Sequence, residues 1–303
     1  MNKNIASFML AAVFSAVLFA SPSPETDGQI SMAYPKTISS IPFLELAERH
    51  PGDYEGRDFT DHPQALGQLL NGEIDLLASG FTVGYTRYQA AGDIRYLFGH
   101  VWGISSIMTS SEISGLEELS GGSIYVPFEG SPIEVQISAL LEELGLADEI
   151  ELSYAPFPQA AGLLVQGKAD AAVLVEPIAS KLEASGNAFR FQTIQDSYAL
   201  LSGGEMRSPQ VSVFALEATA ARVSDELEQL QDRLSRITAE IVEDPAYYGN
   251  KYAEYFELPA PVIQRGLQQA LFDFPGEEEE VELIQLYSRI MNIEDPGAEF
   301  HTY

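Results

Sequence analysis

The 303-residue chain contains no cysteine and carries a formal charge of −29, with 45 acidic residues against 16 basic ones. The missing cysteine excludes disulfides, thiolate metal sites, cysteine nucleophiles and a lipid-bearing cysteine behind a leader. The acidity excludes the basic patches that nucleic acid and anionic membranes require. It suits either a salty exterior, where a Debye length of roughly 3 Å at 1 M screens self-repulsion, or an ordinary acidic secreted protein.

Residues 1–20 read as a signal peptide: Lys3 precedes an apolar run, and Leu18-Phe19-Ala20 before Ser21-Pro22 is an acceptable cleavage site. No second apolar run of that length follows, so a soluble exported protein without direct membrane insertion is expected. After a polar stretch, 30–34 predicts a strand, and Thr37-Ile38-Ser39-Ser40-Ile41-Pro42 predicts the capped start of a helix running to Arg49. A short strand at 58–60 is followed by a helix from Pro63 and a strand at 74–78. The apolar, β-branched run 95–108 predicts a strand leading into a second lobe.

A short helix over 115–119 and a Gly121-Gly122 turn precede a strand at 123–127. Gly130-Ser131-Pro132 opens a helix to Leu144, and a strand at 151–154 leads to a helix from Pro158 and a strand at 171–175. Strands at 189–194 and 209–216 follow, and the remainder is helical. In the helix over 224–242, Leu227, Leu230, Leu234, Ile237 and Ile241 recur with a period near 3.6. Glu277-Glu278-Glu279-Glu280 reads as the solvated, dipole-favoured start of the last helix.

Two segments 95 positions apart follow one plan. Residues 63–75 align without a gap on 158–170, and seven of thirteen positions are identical: Pro, Gln, Ala, Gly, Leu, Gly and Asp. Each reads as a helix with Pro in its first turn, a left-handed Gly after its end, and an Asp leading into a buried strand. So long a period means two similar α/β lobes rather than a solenoid. The order strand, helix, strand, helix, strand occurs twice, which gives parallel βαβ units with right-handed crossovers.

Catalytic apparatus is not visible. Gly162 to Gly167-Lys168 imitates a phosphate-binding loop, but Ala169 stands where Ser or Thr is needed and the segment runs from helix to strand. His50, His62, His100 and His301 lack metal-ligand spacing, and no Gly-x-Ser-x-Gly elbow occurs. No enzyme, metal or cofactor is therefore expected. Binding is better supported, because ligands of open parallel sheets sit beyond the carboxyl ends of the strands. The residues there are Ser39, Ser40, Ser79, Gly80, Phe81, Gly130, Ser131 and Glu176, with Trp102 among the neighbouring aromatics. Ser39, Ser40 and Ser131 read equally as plain helix caps, and Glu176 also as an acceptor for a neighbouring backbone N–H, whereas Ser79-Gly80 follows a buried strand with no obvious structural need for two small residues. Tyr34, Phe81, Tyr85, Tyr88, Trp102, Phe128 and Phe157 cluster near these ends and favour a flat or amphipathic ligand. Arg87 and Lys36 are the basic residues near the mouth, which weakens the case for a strongly anionic one.

Ser40-Ile41-Pro42, Asn71-Gly72-Glu73-Ile74-Asp75, Gly130-Ser131-Pro132, Leu144-Gly145-Leu146 and 167–172 with Glu176-Pro177 together resemble the periplasmic substrate-binding proteins of ABC importers for nitrate, sulfonates, taurine and thiamine precursors. The resemblance implies a type II clamshell, α/β in class, with each lobe a mainly parallel sheet flanked by helices. Residues 28–107 plus 204–303 would form lobe 1 and 108–203 lobe 2, with crossovers near 105–112 and 196–208. It also implies a monomeric, periplasmic or secreted solute-binding component that delivers a small organic molecule to an ABC permease and its ATPase. The alternatives are an exported sensor or scavenger without a transporter, and a thiamine-pyrimidine-synthase-like enzyme, whose Cys-rich iron site this chain lacks. An exported hydrolase would need a nucleophile–base pair that the sequence does not display.

Overall fold

The computed structural model describes residues 28–302, so the leader expected over 1–20 lies outside the described residues. Strand β1 (Ile30–Pro35) leads through a 3-10 turn to helix α1 (Ile41–Arg49), then β2 (Tyr54–Phe59), α2 (His62–Leu70), β3 (Leu76–Gly80), α3 (Phe81–Ala91) and β4 (Ile94–Gly103). The chain then forms β5 (Ser105–Thr109), β6 (Ser123–Val126), α4 (Pro132–Glu143), β7 (Glu151–Tyr154), α5 (Phe157–Val165), β8 (Ala171–Val175), α6 (Ile178–Ala184) and β9 (Phe189–Thr193). Helix α7 (Ile194–Ser202) leads back to β10 (Val211–Leu216). The tail is helical, with α8 (Glu217–Arg222), α9 (Ser224–Glu243), α10 (Pro245–Lys251), α11 (Ala253–Phe256), α12 (Ala260–Gln269), a two-residue β11 (Leu271–Phe272) and α13 (Glu277–Ile290).

These strands make two sheets. One has the order β11-β4-β10-β3-β1-β2 and the other β7-β6-β8-β5-β9. In the first, β1 is parallel to β2 and β3, while β10 runs antiparallel between β3 and β4. In the second, β6 is parallel to β7 and β8, while β5 runs antiparallel between β8 and β9. The repeated units fall in different sheets, as the 95-residue spacing predicts. Met32 and Ala33 of β1 register with Leu76 and Leu77 of β3. Ile124 and Tyr125 of β6 register with Ala171 and Ala172 of β8, the positions 95 residues on. The glycines closing the two repeat helices are left-handed, at φ +70° for Gly72 and +64° for Gly167, where a side chain would be strained.

Three expectations shift. The run 95–108 is two strands, and the chain changes sheet at Ile104, between β4 and β5. The strand expected at 58–60 begins at Tyr54, because pairing with β1 orders the polar residues before it. Helix α3 is an element that the periodicity did not announce. The stripe on α9 is as read: Leu230, Leu234, Ile237 and Ile241 are buried and pack on the first lobe's core. Of the four glutamates opening α13, Glu280 turns inward and accepts from Tyr96 Oη at 2.7 Å. No helix among the described residues is long and apolar enough to cross a membrane.

Candidate functional site

The carboxyl ends of the parallel strands of both sheets line one cavity of about 780 Å³. Pro35 ends β1, Phe59 ends β2 and Val175 ends β8, while Pro127 follows β6 and Pro156 follows β7 closely. Proline cannot donate to a ladder and so marks where pairing stops. The volume falls within the range of small-molecule sites, roughly 300–1,000 Å³. Phe59, Phe128 and Phe157 form much of the apolar wall. A recess of about 70 Å³ adjoins the cavity toward the sheet change at Ile104, sharing Thr37, His62 and Phe128 with it and adding Gly80, Ser105 and Gln210.

His62, the first residue of α2, sits at the centre of this arrangement. Its ring meets Phe59 edge-on at 5.0 Å and Phe128, from the other lobe, at 6.1 Å. Its Nδ1 pairs with Ser79 Oγ at 2.8 Å. Burial holds His62 below the ordinary imidazole range, although Asp61 opposes the shift, so the ring is neutral near pH 7. Ser79 and His62 have the composition of a nucleophile–base pair, yet Ser79 is 0% exposed and lies behind the ring. Its hydroxyl orients the imidazole from behind the cavity wall. Among the described residues no group of three or more His, Asp or Glu is placed to hold a metal.

Of the residues singled out from the sequence, Gly80 and Ser131 line the recess. Ser131 also caps α4, its Oγ accepting from the Glu134 N–H at 3.1 Å. Ser79, Ser39 and Ser40 stand one layer back. Ser39 Oγ pairs with the lining residue Thr37 at 2.7 Å, and Ser40 Oγ donates to the Thr37 carbonyl rather than capping α1. Gly130 is an exposed turn glycine at φ +74° whose N–H reaches Glu134 Oε2. Glu176 is buried against Arg190 at 2.8 Å and accepts from the Ser180 N–H, the local backbone role its position also allowed. Phe81 lies inside an aromatic cluster, and Trp102 is buried with Nε1 donating to the Asp273 carbonyl. Arg87 pairs with Asp93 at the far end of α3, and Lys36 does line the cavity.

Sequence reasoning passed over Thr37, Phe59, Ser105 and above all His62, for which the repeat held a signal. His62 and Phe157 are equivalent, each standing one position before the aligned proline, and both line the cavity.

No family model matches the chain, and no curated protein does. Solved structures do. The periplasmic aliphatic sulphonate binding protein SsuA of Escherichia coli is similar at a TM-score of 0.70 and 19% identity, over 88% of this chain and 86% of that one. The alkanesulfonate-binding protein SsuA of Xanthomonas axonopodis pv. citri, bound to MOPS, gives 0.70 and 20%, over 89% of this chain and 95% of that one. The ligand-binding component of an ABC-type import system from Staphylococcus aureus, with zinc bound, gives 0.73 and 12%, over 90% of this chain and 95% of that one. At such identities the likeness is one of fold, and the fold is the two-lobe architecture of the periplasmic binding proteins.

Proposed function

We propose that this chain is the extracytoplasmic solute-binding component of an ABC importer, exported by its first twenty residues and holding a small organic molecule between its lobes. One observation carries the reading: strand ends from both sheets converge on a single cavity of small-molecule size. A solute there touches Thr37 and His62 on one lobe and Phe128 and Phe157 on the other. Only a ligand that contacts both lobes favours the closed arrangement over the open one. The lobes are joined at Ile104 and along 203–210, which gives closure a place to hinge.

The residues named from sequence then support the site more than they touch the solute. Ser79 aims His62, Ser39 backs Thr37, and Gly80 and Ser131 border the recess. The reaction is binding without turnover, since the serine beside the imidazole is closed off.

A thermal-shift screen of sulfonates, pyrimidines, flavins and carboxylates should yield a stabilising solute. That solute should reduce the radius of gyration in solution scattering and be recovered unchanged. Recovery of an altered compound would overturn the reading in favour of an enzyme.

A further inference from the structure

We propose that the cavity takes an uncharged aromatic solute bearing one hydroxyl, carbonyl or ring-nitrogen group, and discriminates against sulfonates and similar organic anions. This rests on reading the cavity as the ligand site, and three sets of observations narrow its occupant.

The first is charge. No arginine lines the cavity or its recess. Lys36 is the lining cation, and it is committed to Asp58 at 3.8 Å and to the Tyr255 ring at 5.1 Å from its centroid. Asp61 brings a carboxylate to the same wall, and the whole chain stands at −29. An anion arriving here gives up its hydration against one lysine that is already shared with Asp58, and the field of the protein opposes it.

The second is the state of the helix starts, which otherwise offer N–H groups to anions. At α2, Pro63 has no N–H and the Asp61 carboxylate takes the Gln64 N–H at 2.9 Å. At α4, Pro132 has none, Ser131 Oγ takes the Glu134 N–H, and the Glu134 carboxylate takes the Gly130 N–H at 3.1 Å. At α5, Pro158 has none, and the N–H groups of Gln159 and Ala160 both go to the Pro156 carbonyl at 2.9 Å. At these three starts the N–H groups of Gln64, Glu134, Gln159 and Ala160 already go to the chain's own oxygens.

The third is what is left unpaired. The His62 ring has its Nδ1 committed to Ser79, while its Nε2 has no hydrogen-bond partner among the described residues. Ser105, 2% exposed and lining the recess, has a buried Oγ without a partner among the described residues. A neutral imidazole and an orphan hydroxyl each satisfy a neutral polar group. Phe59, Phe128, Phe157 and the surrounding prolines suit the ring that carries it.

The test is calorimetry on the mature chain at pH 7.5 with a matched pair, 2-naphthol and 2-naphthalenesulfonate. We expect 2-naphthol to bind at least about tenfold more tightly, and Ser105→Ala or His62→Leu to weaken it about tenfold. Equal or tighter binding of the sulfonate overturns the proposal, and so does failure of 2-naphthol to bind. Thr60→Trp, at an exposed lining position, crowds the cavity and keeps the two readings apart. A sulfonate that binds the native protein and is lost in Thr60→Trp overturns the ligand class alone. A naphthalene that binds Thr60→Trp undiminished sits elsewhere, and that overturns the cavity as the ligand site.

Discussion

Positions 81 and 176 are equivalent in the 95-residue repeat, and each follows the last residue of a central strand. In the first lobe the position holds Phe81, 0% exposed, with Tyr287 at 5.6 Å, Tyr85 at 6.0 Å and Phe300 at 6.2 Å. In the second it holds Glu176, 1% exposed, paired with Arg190 at 2.8 Å. Arg190 also reaches Glu183, which takes Arg265 of α12 at 2.7 Å, so a line of charge runs from inside the second lobe to a helix of the first lobe's tail. Asp61 against Pro156, and His62 against Phe157, repeat the contrast at the helix starts. A common backbone therefore demands filled volume and satisfied polar groups at each position, and either an aromatic cluster or an ion-paired network can meet the demand.

The largest effects should come from breaking either solution. Phe81→Ala should cost about 3–5 kcal/mol in chemical denaturation, through the cavity it leaves. Arg190→Met should cost about as much, because it strands a buried carboxylate, whereas Arg190→Met with Glu176→Leu should recover most of the loss. Equal stability of the single and double variants would show that Glu176 does not need its partner.

Acid should separate the lobes. Burial lowers His100 to about 4, against an ordinary value of 6.5. The unfolded chain therefore takes up the proton first. The stability of the neutral form is intact above about pH 6.5 and is lost as pH falls toward 4, at about 1.4 kcal/mol per pH unit. His62 is shifted in the same direction. Residues 108–203 contain no histidine, so hydrogen exchange between pH 6.5 and 4.5 should rise in the first lobe before the second. Simultaneous loss would mean that the lobes unfold as one unit.

Smaller effects probe the repeat itself. A Cβ on Gly122 would lie 2.6 Å from Asp170 Oδ2 and 3.1 Å from the Leu119 carbonyl, so Gly122→Ala should destabilise by about 1–3 kcal/mol. In the first lobe the equivalent aspartate, Asp75, instead accepts from the N–H and Oγ of Ser31. Gly67 has nothing within 4 Å of a built Cβ, and Gly162 has only Gln166 Nε2 at 3.9 Å. Each change to Ala should therefore stabilise its helix by about 0.5–1 kcal/mol, read as a rise in Tm. A loss at one site but not the other would show where the two units cease to be equivalent.

The repeat units were legible because their signals are local: a proline, a left-handed glycine and an aspartate act within a few residues. Helix α3 was not, since Gly84 and scattered polar residues blur its stripe, and that glycine is required by Phe214, whose ring would lie 2.2 Å from a Cβ. The change of sheet at Ile104 was hidden because β4 and β5 are both buried along nearly their whole length, so composition does not distinguish them. At the candidate site, the strand ends do line the cavity, but small hydroxyls such as Ser39 and Ser40 bond to their own neighbourhood and sit a layer behind Thr37. The prolines were read as punctuation for helices, whereas several of them also form the wall.

Each sheet holds an interior antiparallel strand out of chain order: β5 follows β4 yet pairs with β8 and β9, and β10 follows β9 yet pairs with β3 and β4. For a chain made and threaded from its N-terminus, β3 and β4 emerge with an empty slot between them that stays open until Val211–Leu216 arrives. A fragment ending after Thr109 would hold two strands with unsatisfied edges and a third with no sheet to join, a condition that invites aggregation. The first lobe can be finished only after the second has been synthesised, so the order of assembly is set by the path of the chain, and slow, non-local pairing is its cost.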